Sequence, residues 1–321
     1  MPAGNSNFDA ILSTTLNNYR DQLTDNIFTA RPLTYWLQDK SRIRMVNGGA
    51  KIVEPLIYGQ NSTVKPYSGY DTISLTQQTG ISAAEFDWKQ YAASIAISGI
   101  EEAKNNGEQE IINLLEAKIM QAEESMREGF NQMFFGDGTD TLGAGGTNSG
   151  NTWNGLTNLV DSTGTVGGVD ASDALNTWWR SYKNATAGAL TLAQMATAYN
   201  TVSVGNDHPD LILTTQLLFE KYESLLQPSL RFTDTKMADA GFQNFMFKGA
   251  PITYDVHCPA GTMFFLNSKY ITLVGHTAKW FANTPFVRPE NMDARYALIM
   301  CYGNLTVRNR AKQGKLTAKT A

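Results

Sequence analysis

Residues 108–135 read EQEIINLLEAKIMQAEESMREGFNQMFF and carry the clearest periodic signal in the chain. Apolar side chains recur here every three or four residues, the spacing that keeps them on one side of an α-helix. The stripe comprises Ile111, Leu115, Ile119, Ala122, Met126, Phe130 and Met133. The pattern therefore predicts a helix over 108–135, with one buried face and a length of about 40 Å. Gly136 and Gly138 follow and are expected to end it.

The opposite face of this predicted helix is acidic. Two basic residues, Lys118 and Arg127, lie between the apolar positions. The glutamates there number six and are Glu108, Glu110, Glu116, Glu123, Glu124 and Glu128. Taken alone, this pattern is typical of a core-packing helix whose acidic face is solvated. Any more specific interpretation depends on the sequence around it.

The composition indicates a folded chain without a general affinity for polyanions. Its 321 residues are 42% hydrophobic, enough for one large or two modest domains. The net charge of -4 gives no overall cationic excess for binding phosphates. Both ends are nevertheless basic, with Arg31, Lys40, Arg42 and Arg44 near the start and Arg295, Arg308, Arg310, Lys312, Lys315 and Lys319 after the last acid, Asp293. These ends are interpreted as solvated or subunit-contacting segments, with contact to nucleic acid as the alternative.

The sequence shows no motif for catalysis or metal binding. Cys258 and Cys301 are too few for a disulfide framework or a tetrahedral metal site, and they indicate a reducing compartment. His257 precedes Cys258 on a predicted strand, so the two side chains would point to opposite faces. The run 136–140 lacks the closing Glu of a calcium loop, and the glycine-rich run 143–150 follows a helix instead of a strand. Neither a signal peptide nor a membrane-spanning apolar run is present.

Apolar runs and turn residues predict the remaining elements. Residues 1–48 are expected to form a helix or two on an otherwise extended arm. Strands are predicted at 51–58, 71–75, 86–98, 210–214, 245–254, 262–266, 270–274, 296–302 and 304–309, and helices at 170–182, 191–202 and 216–226. The pair 51–58 and 71–75 is a two-stranded excursion that needs another surface, because an isolated hairpin is marginally stable in water. Trp153 and Leu156 are the expected anchors of the glycine-rich region 138–168.

This order of parts resembles the HK97-type major capsid proteins of tailed bacteriophages. A basic arm, an extended loop, a long helix, an α/β middle and late strands correspond to the N-arm, E-loop, spine helix, A-domain and P-domain return of that family. The runs Lys248-Gly-Ala-Pro-Ile and Cys258-Pro-Ala-Gly-Thr-Met-Phe-Phe-Leu are similar to a stretch common in its A-domains. The run Gly303-Asn-Leu-Thr-Val-Arg-Asn-Arg is similar to its last P-domain strand.

The resemblance implies an α+β HK97-like capsid fold. It divides the chain into an N-terminal arm (1–48), an E-loop (49–82), a P-domain with the spine helix (83–140), an A-domain (141–285), and P-domain return strands with a basic C-terminal tail (286–321). The E-loop would find its partners on a neighbouring subunit, and the acidic side of the spine helix would face the shell interior. The expected inter-subunit contact residues are Arg42, Arg44, Lys65, Tyr67, Tyr70, Arg308 and Arg310.

The implied function is that of a structural subunit and not of an enzyme. Hexamers and pentamers would build an icosahedral shell in the virion around packaged double-stranded DNA, which is contacted non-specifically, after assembly in the host cytoplasm. The implied partners are further copies of the chain, a separate scaffolding protein, a portal protein and a cement or decoration protein. No catalytic residue, cofactor, metal or membrane is implied. The alternative is an α/β enzyme or ligand-binding protein with an unrecognised site.

The sequence also departs from some members of this family. In those members an E-loop lysine is joined to an asparagine of a neighbour, with help from a glutamate on the late P-domain strand. Here Lys51 and Lys65 are available, but 296–309 contains no acid, so autocatalytic crosslinking is not expected. Members with a fused scaffold carry a long charged helical segment before the N-arm, whereas the first E-loop strand begins here at residue 51. A separate scaffolding protein is therefore expected.

Overall fold

A computed structural model of the chain describes residues 31–104, 114–139, 150–226, 235–239 and 241–321. The helices are α1 (Pro32–Asp39), α2 (Gly99–Lys104), α3 (Leu114–Phe135), α4 (Leu156–Leu159), α5 (Leu192–Val202), α6 (Gln216–Leu225) and α7 (Thr235–Asp239). The strands are β1 (Ile43–Val46), β2 (Ile52–Ile57), β3 (Ile81–Phe86), β4 (Lys89–Ser98), β5 (Thr165–Val166), β6 (Val169–Asp170), β7 (Tyr182–Asn184), β8 (Gly188–Ala189), β9 (Leu211–Thr214), β10 (Phe245–Phe247), β11 (Ala250–Tyr254), β12 (Met263–Leu266), β13 (Ile271–His276), β14 (Ala282–Asn283), β15 (Ala294–Val307), β16 (Gly314–Leu316) and β17 (Lys319–Thr320).

The long helix α3 is the spine of the main core. Its described part ends at Phe135 as the sequence predicts, whereas the predicted start at residue 108 lies outside the described residues. The predicted stripe from Ile119 to Met133 is buried, and Phe130 packs edge-on against Trp153. The chain at Gly155 packs closely against the C-terminal end of α3. Only glycine fits there, because a Cβ at position 155 would collide with the carbonyl oxygens of Met133 and Gly136. Trp153 and Leu156 are fully buried, which confirms them as anchors.

One sheet of five strands lies against this helix, and β15 is its centre. This strand pairs antiparallel with β4, β13 and β14, and β1 adds to β13 in parallel. The prediction of two strands separated at Gly303 is wrong, because β15 is continuous over fourteen residues. Glycine is needed at position 303 for close approach, since a Cβ would collide with the carbonyl oxygen of Val274 and crowd the ring of Trp153.

The second sheet has six strands in the order β10-β11-β9-β12-β16-β7. Helices α5 and α6 pack on it and form a second core that contains Met195, Leu218 and Tyr222. The predicted helices at 191–202 and 216–226 and the predicted strands at 210–214 and 262–266 are confirmed within one or two residues. The predicted 245–254 strand is two antiparallel strands, β10 and β11, joined by a turn with positive φ at Lys248 and Gly249.

A separate ribbon of β2 and β3 projects from the main core. The predicted outgoing strand at 51–58 is confirmed, but its partner is Ile81–Phe86 and the predicted strand at 71–75 is wrong. Alternation explains the difference, because Ala84 and Phe86 point inward opposite the buried face of β2, whereas 71–75 is exposed throughout. The predicted 86–98 strand accordingly begins at Lys89, as β4.

Two further predictions fail for local reasons. The predicted helix at 170–182 is replaced by β6, a 3₁₀ helix at Ala174–Trp179 and β7, with Asn176 in a non-helical conformation. A helix expected within 1–48 is present as α1, with Leu33, Trp36 and Leu37 buried, but residues 43–46 are not a free extended segment, because β1 is a strand of the main sheet. Residues 1–30 lie outside the described part of the chain.

The two sheets are not built from consecutive segments of the chain, so their strands do not follow the division into 141–285 and 286–321. Strands β13 and β14 fall within 141–285 but pair with β15, and β16 falls within 286–321 but belongs to the six-stranded sheet. The chain therefore returns to the spine before residue 285 and leaves it again at its end. Within the described residues, no helix combines the length and hydropathy that a bilayer crossing requires.

Candidate assembly surfaces

The loop between β2 and β3 presents apolar side chains to solvent. Over 58–80 it has no regular secondary structure, and Val64 is 81%, Tyr70 105% and Leu75 95% exposed. Its two arms meet at Gly59 and Gly80, where a Cβ on Gly59 would lie 2.9 Å from the Cα of Gly80. The loop is thus narrow at its base, while its outer part is open to another molecule.

The base of this ribbon is anchored by a buried carboxylate. Glu54 is 0% exposed, and Arg308 Nε donates to its Oε2 at 2.6 Å. Arg44 donates to the other oxygen, Oε1. Thr306 Oγ1 lies 3.4 Å from the same oxygen. A carboxylate leaves water at low cost only when it is paired in this way. The ion cluster therefore joins β1, β2 and β15 at one point.

Sequence reasoning missed Glu54, although a signal was present. The strand Ile52–Ile57 alternates buried and exposed positions, and Glu54 lies in the buried phase with Ile52 and Leu56. A glutamate in the apolar phase of a strand requires a cationic partner, because an unpaired buried charge is strongly unfavourable. The pattern predicts that a partner exists. Finding Arg44 and Arg308 requires the fold.

A short hairpin supports the ribbon from the side. Strands β5 and β6 form it, and the amide of Glu85 donates to the carbonyl of Gly167 at 2.9 Å. Gly167 has φ 62° and lies so close to Ala84 that an added Cβ would be 2.6 Å from the Ala84 Cβ. Tyr58 also stacks on Trp178, with ring centroids 4.7 Å apart. The direction of the ribbon is therefore fixed by its own subunit.

The predicted contact residues have different surroundings. Tyr67 and Tyr70 are exposed, and Lys65 donates to the carbonyl of Thr72 within the loop. Arg44 and Arg308 are each 38% exposed, so both retain an accessible side beyond Glu54. The Nε atom of Arg42 is buried without a hydrogen-bond partner among the described residues.

Arg310, by contrast, is an internal residue. It is 0% exposed and donates to the carbonyl oxygens of Leu159, Gly164, Asn158, Asp161 and Thr163. The guanidinium thereby satisfies a loop of buried backbone acceptors. Burial lowers the pKa of Arg310 to about 10, so it remains charged at neutral pH. The side chain has no surface for contact with another subunit, contrary to the sequence expectation.

The basic C-terminal residues are not a solvated tail. Lys315 and Lys319 are each 3% exposed, and both donate to backbone carbonyl oxygens, those of Thr157 and Thr186. The strand Gly314–Leu316 carries Lys315 into the six-stranded sheet between β12 and β7. The number of charged residues in the sequence could not reveal this burial. The groups that bind the two lysines are backbone carbonyl oxygens and one acid far away in the sequence, Asp161.

Asp161 joins this region electrostatically. Lys315 Nζ lies 2.7 Å and Lys183 Nζ 2.9 Å from its Oδ2. Burial opposes ionisation of Asp161, but the bonds and charges of the two lysines outweigh it and hold its pKa well below the usual range. Burial also lowers the pKa of Lys315, despite the attraction of Asp161. Attraction therefore outweighs desolvation at Asp161, whereas desolvation outweighs attraction at Lys315.

The spine helix is attached to the second sheet by polar contacts. Asn131 Nδ2 donates to Asp255 Oδ1 at 2.6 Å in a buried setting. Oε2 of Glu128 lies 2.5 Å from Nη2 of Arg31, and its Oε1 lies 2.5 Å from Nε2 of His257. Burial opposes ionisation of Glu128, yet these two partners lower its pKa below the usual value. The acidic face is thus partly neutralised within the subunit.

The adjacent residues His257 and Cys258 contact different partners and not each other. Asp255 to Cys258 is a turn after β11, so the prediction of a strand there is wrong, and His257 contacts Glu128 while Cys258 Sγ faces the carbonyl of Thr262. Burial raises the pKa of the thiols of Cys258 and Cys301, which disfavours the nucleophilic thiolate. Among the described residues, no group of three or more His, Cys, Asp or Glu side chains is arranged to hold a metal ion.

Comparison with known families identifies the chain. The model of the SU10 major capsid protein family matches residues 91–320, which include the spine helix, the six-stranded sheet and most of the five-stranded sheet. The chain belongs to this family. It is a structural capsid protein that associates with copies of itself in the virion shell, and it is not an enzyme. A search of curated protein sequences gives no match.

Solved structures share the fold of this capsid protein at low sequence identity. The cyanophage A-1(L) capsid asymmetric unit is 17% identical, with a TM-score of 0.63, over 89% of this chain and 93% of the other. The Mycobacterium phage Bobi structure is 12% identical, with a TM-score of 0.52, over 86% and 88%. The SrpI encapsulin complex of Synechococcus elongatus is 10% identical, with a TM-score of 0.54, over 89% and 87%. The expected α+β HK97-like fold is confirmed.

Proposed function

We propose that this capsid protein assembles as hexamers and pentamers into an icosahedral shell around packaged double-stranded DNA, with the E-loop 49–82 making the principal contacts between subunits. The observation that carries the proposal is the contrast within the loop. Its base is fixed by Glu54 and by the Tyr58–Trp178 stack, whereas Val64, Tyr70 and Leu75 are uncovered. A rigid projection with an apolar end is suited to a surface on a neighbouring copy.

The energetics favour assembly as the step that stabilises the loop. Full burial of a large apolar side chain contributes about 1.5–3 kcal/mol. Several such side chains on each subunit, multiplied around a closed shell, give a cooperative contact without covalent bonds. In the isolated subunit the same side chains gain none of this stabilisation. The E-loop therefore acts between subunits more than within one.

The proposed contact residues are Arg42, Arg44, Lys65, Tyr67, Tyr70 and Arg308. The tyrosines supply apolar area together with a hydroxyl group, a combination enriched at interfaces. Arg44 and Arg308 bring two positive charges to one internal carboxylate, so the cluster carries an excess charge that an acidic group of a neighbour would complement. Arg310 is omitted because its own chain surrounds it.

The proposal extends to partners and organisation. A separate scaffolding protein directs assembly in the host cytoplasm, a portal protein occupies one vertex, and a cement or decoration protein or non-covalent contacts stabilise the shell. The residual acidic face of α3 points inward, and DNA is contacted without sequence specificity. The division into N-terminal arm, E-loop, P-domain and A-domain describes the parts of the subunit in this shell.

Electron microscopy of purified protein tests the role of the loop. Wild-type protein is expressed with and without the scaffolding protein, beside a Tyr70→Ser/Leu75→Ser variant. A Leu175→Ser variant is the matched control, because Leu175 is 83% exposed but lies outside the loop. Wild type and control should form regular shells, whereas the loop variant should remain as folded, unassembled subunits with an unchanged circular dichroism spectrum. Equal shell yield from the loop variant, or no regular assembly of wild type with the scaffold, would contradict the proposal.

A further inference from the structure

The described part of the chain contains the dipeptide Asn-Gly twice, at Asn47–Gly48 and at Asn154–Gly155. This dipeptide is chemically labile in water, because glycine has no side chain to hinder attack of its backbone nitrogen on the preceding asparagine side chain. The attack closes a five-membered ring, so the backbone at the glycine must be able to move. The two pairs share a sequence but not their surroundings, and the structure therefore separates them.

Asn47–Gly48 lies in the open connection between β1 and β2. Asn47 is exposed, and Gly48 has φ 132° with no atom within 4 Å of an added Cβ. Among the described residues, neither the side chain of Asn47 nor the amide of Gly48 makes a hydrogen bond. The hydrogen bond from Trp88 to the carbonyl of Gly49 lies one residue further on and does not involve the 47–48 bond. The dipeptide is therefore accessible to water and free to adopt the conformation that ring closure needs.

Asn154–Gly155, by contrast, is held on both sides. The amide of Asn154 donates to Oδ1 of Asn304 at 2.9 Å, and the carbonyl of Gly155 accepts from the amide of Leu159 at 3.0 Å. Gly155 is buried, and its Cα faces the carbonyl oxygen of Gly136 so closely that an added Cβ would collide with it. A swing of the Gly155 nitrogen towards the side chain of Asn154 would disrupt this packing. The same dipeptide is therefore protected here while the subunit stays folded.

We propose that Asn47 is a site of self-modification, at which the folded subunit converts asparagine into aspartate and isoaspartate. The deprotonated amide nitrogen of Gly48 forms a bond to Cγ of Asn47. The bond from Cγ to the side-chain nitrogen breaks, so ammonia leaves and a succinimide ring remains. Water then opens the ring: attack at Cγ gives aspartate, and attack at the backbone carbonyl carbon gives isoaspartate. One water is consumed and one ammonia is released, so the reaction needs no oxidant, cofactor or second protein.

The modification falls between the two strands that carry the ion cluster of the ribbon. Arg44 lies on β1 and Glu54 on β2, and residues 47–51 connect the two strands. Either product adds a negative charge to this connection. Isoaspartate also lengthens the backbone by an atom. Because β1 is held by its pairing with β13 and β2 by the contacts of Glu54, the change is taken up within 47–51 and the subunit stays folded.

Peptide mass spectrometry of the full-length, unassembled subunit tests the proposal. Trypsin cleaves after Arg44 and Lys51 and releases MVNGGAK, a peptide in which Asn47 is the only side-chain amide. During incubation at mildly alkaline pH in heavy-oxygen water, this peptide should be converted at least about tenfold faster than Asn154, with one heavy oxygen incorporated. Isoaspartyl methyltransferase should label the same peptide, because only the ring-opening route yields isoaspartate.

The same chain in urea is the matched control, because unfolding removes the packing around Asn154, and the two rates should then become similar. Asn47→Gln should remove the signal from 45–51, since glutamine would have to close a less favourable six-membered ring. Circular dichroism should show that the converted subunit is still folded. Equal rates at Asn47 and Asn154 in the folded subunit would overturn the proposal. So would protection of Asn47 by more than about tenfold relative to the unfolded chain, or loss of the folded signal before conversion.

Discussion

Arg308 donates to Glu54 at 2.6 Å and so connects the end of the longest strand to the base of the E-loop. Arg44 reaches the same carboxylate from β1. Two segments far apart in sequence thereby hold the ribbon at its root, where Glu54 has no access to solvent. The arrangement fixes the direction in which the loop leaves the subunit while leaving its apolar end free. Such geometry is useful to a protein whose function consists of contacts with its copies.

Replacing Glu54 by glutamine should destabilise the unassembled subunit by about 1–3 kcal/mol. The neutral amide of glutamine cannot balance the charges of two guanidinium groups. Because both arginines are partly exposed, the expected loss of stability is smaller than for a fully buried ion pair. Urea unfolding followed by circular dichroism measures the change. Glu85→Gln is the control, since the Lys51–Glu85 pair on the same ribbon is exposed to solvent and should contribute little to stability. Equal effects of the two substitutions would contradict the anchoring role.

The elements that sequence alone predicted are those whose signal is local. The stripe from Ile119 to Met133 follows helical spacing, so its burial could be read directly. Gly303 was misleading, since a glycine between apolar runs usually indicates a turn, whereas here it allows a close approach within one strand. The burial of Lys315 was equally hidden, because its acceptors come from residues more than a hundred positions away. Tertiary partners of this kind are set by topology and not by pattern.

Arg310→Lys should lower the free energy of unfolding by about 2–4 kcal/mol. A guanidinium carries five N–H donors in a fixed plane, whereas an ammonium has three, so several of the carbonyl acceptors around Arg310 would be left buried without a donor. Thermal unfolding measures the loss, and hydrogen exchange should become faster in the loop 158–164. Lys312→Arg provides the control, because Arg310–Lys312 form a 3₁₀ helix in which Lys312 is partly exposed. Unchanged exchange in that loop would show that other contacts hold it.

Asp161 should make the stability of the subunit dependent on acid pH. Its pKa in the folded state is held below the usual value, against the effect of burial, by Lys315 and Lys183. A depressed carboxyl pKa contributes stability that is fully present above the unfolded-state value of about 4 and is lost as the pH falls towards the folded-state value. Asp161→Asn removes this contribution. The variant should therefore be less stable than wild type at pH 7, by about 1–2 kcal/mol after allowance for partial exposure.

The pH dependence of that difference is the decisive measurement. Urea unfolding of wild type and Asp161→Asn between pH 7 and pH 3 should give stabilities whose difference narrows steadily below about pH 4, because the unfolded chain then takes up a proton at Asp161 that the folded chain, with its lowered pKa, does not. Glu290→Gln is the matched control: Glu290 is exposed, and its curve should run parallel to that of wild type. A gap between wild type and Asp161→Asn that stays constant down to pH 3 would mean that packing, and not the charge on Asp161, holds Lys315 in the sheet.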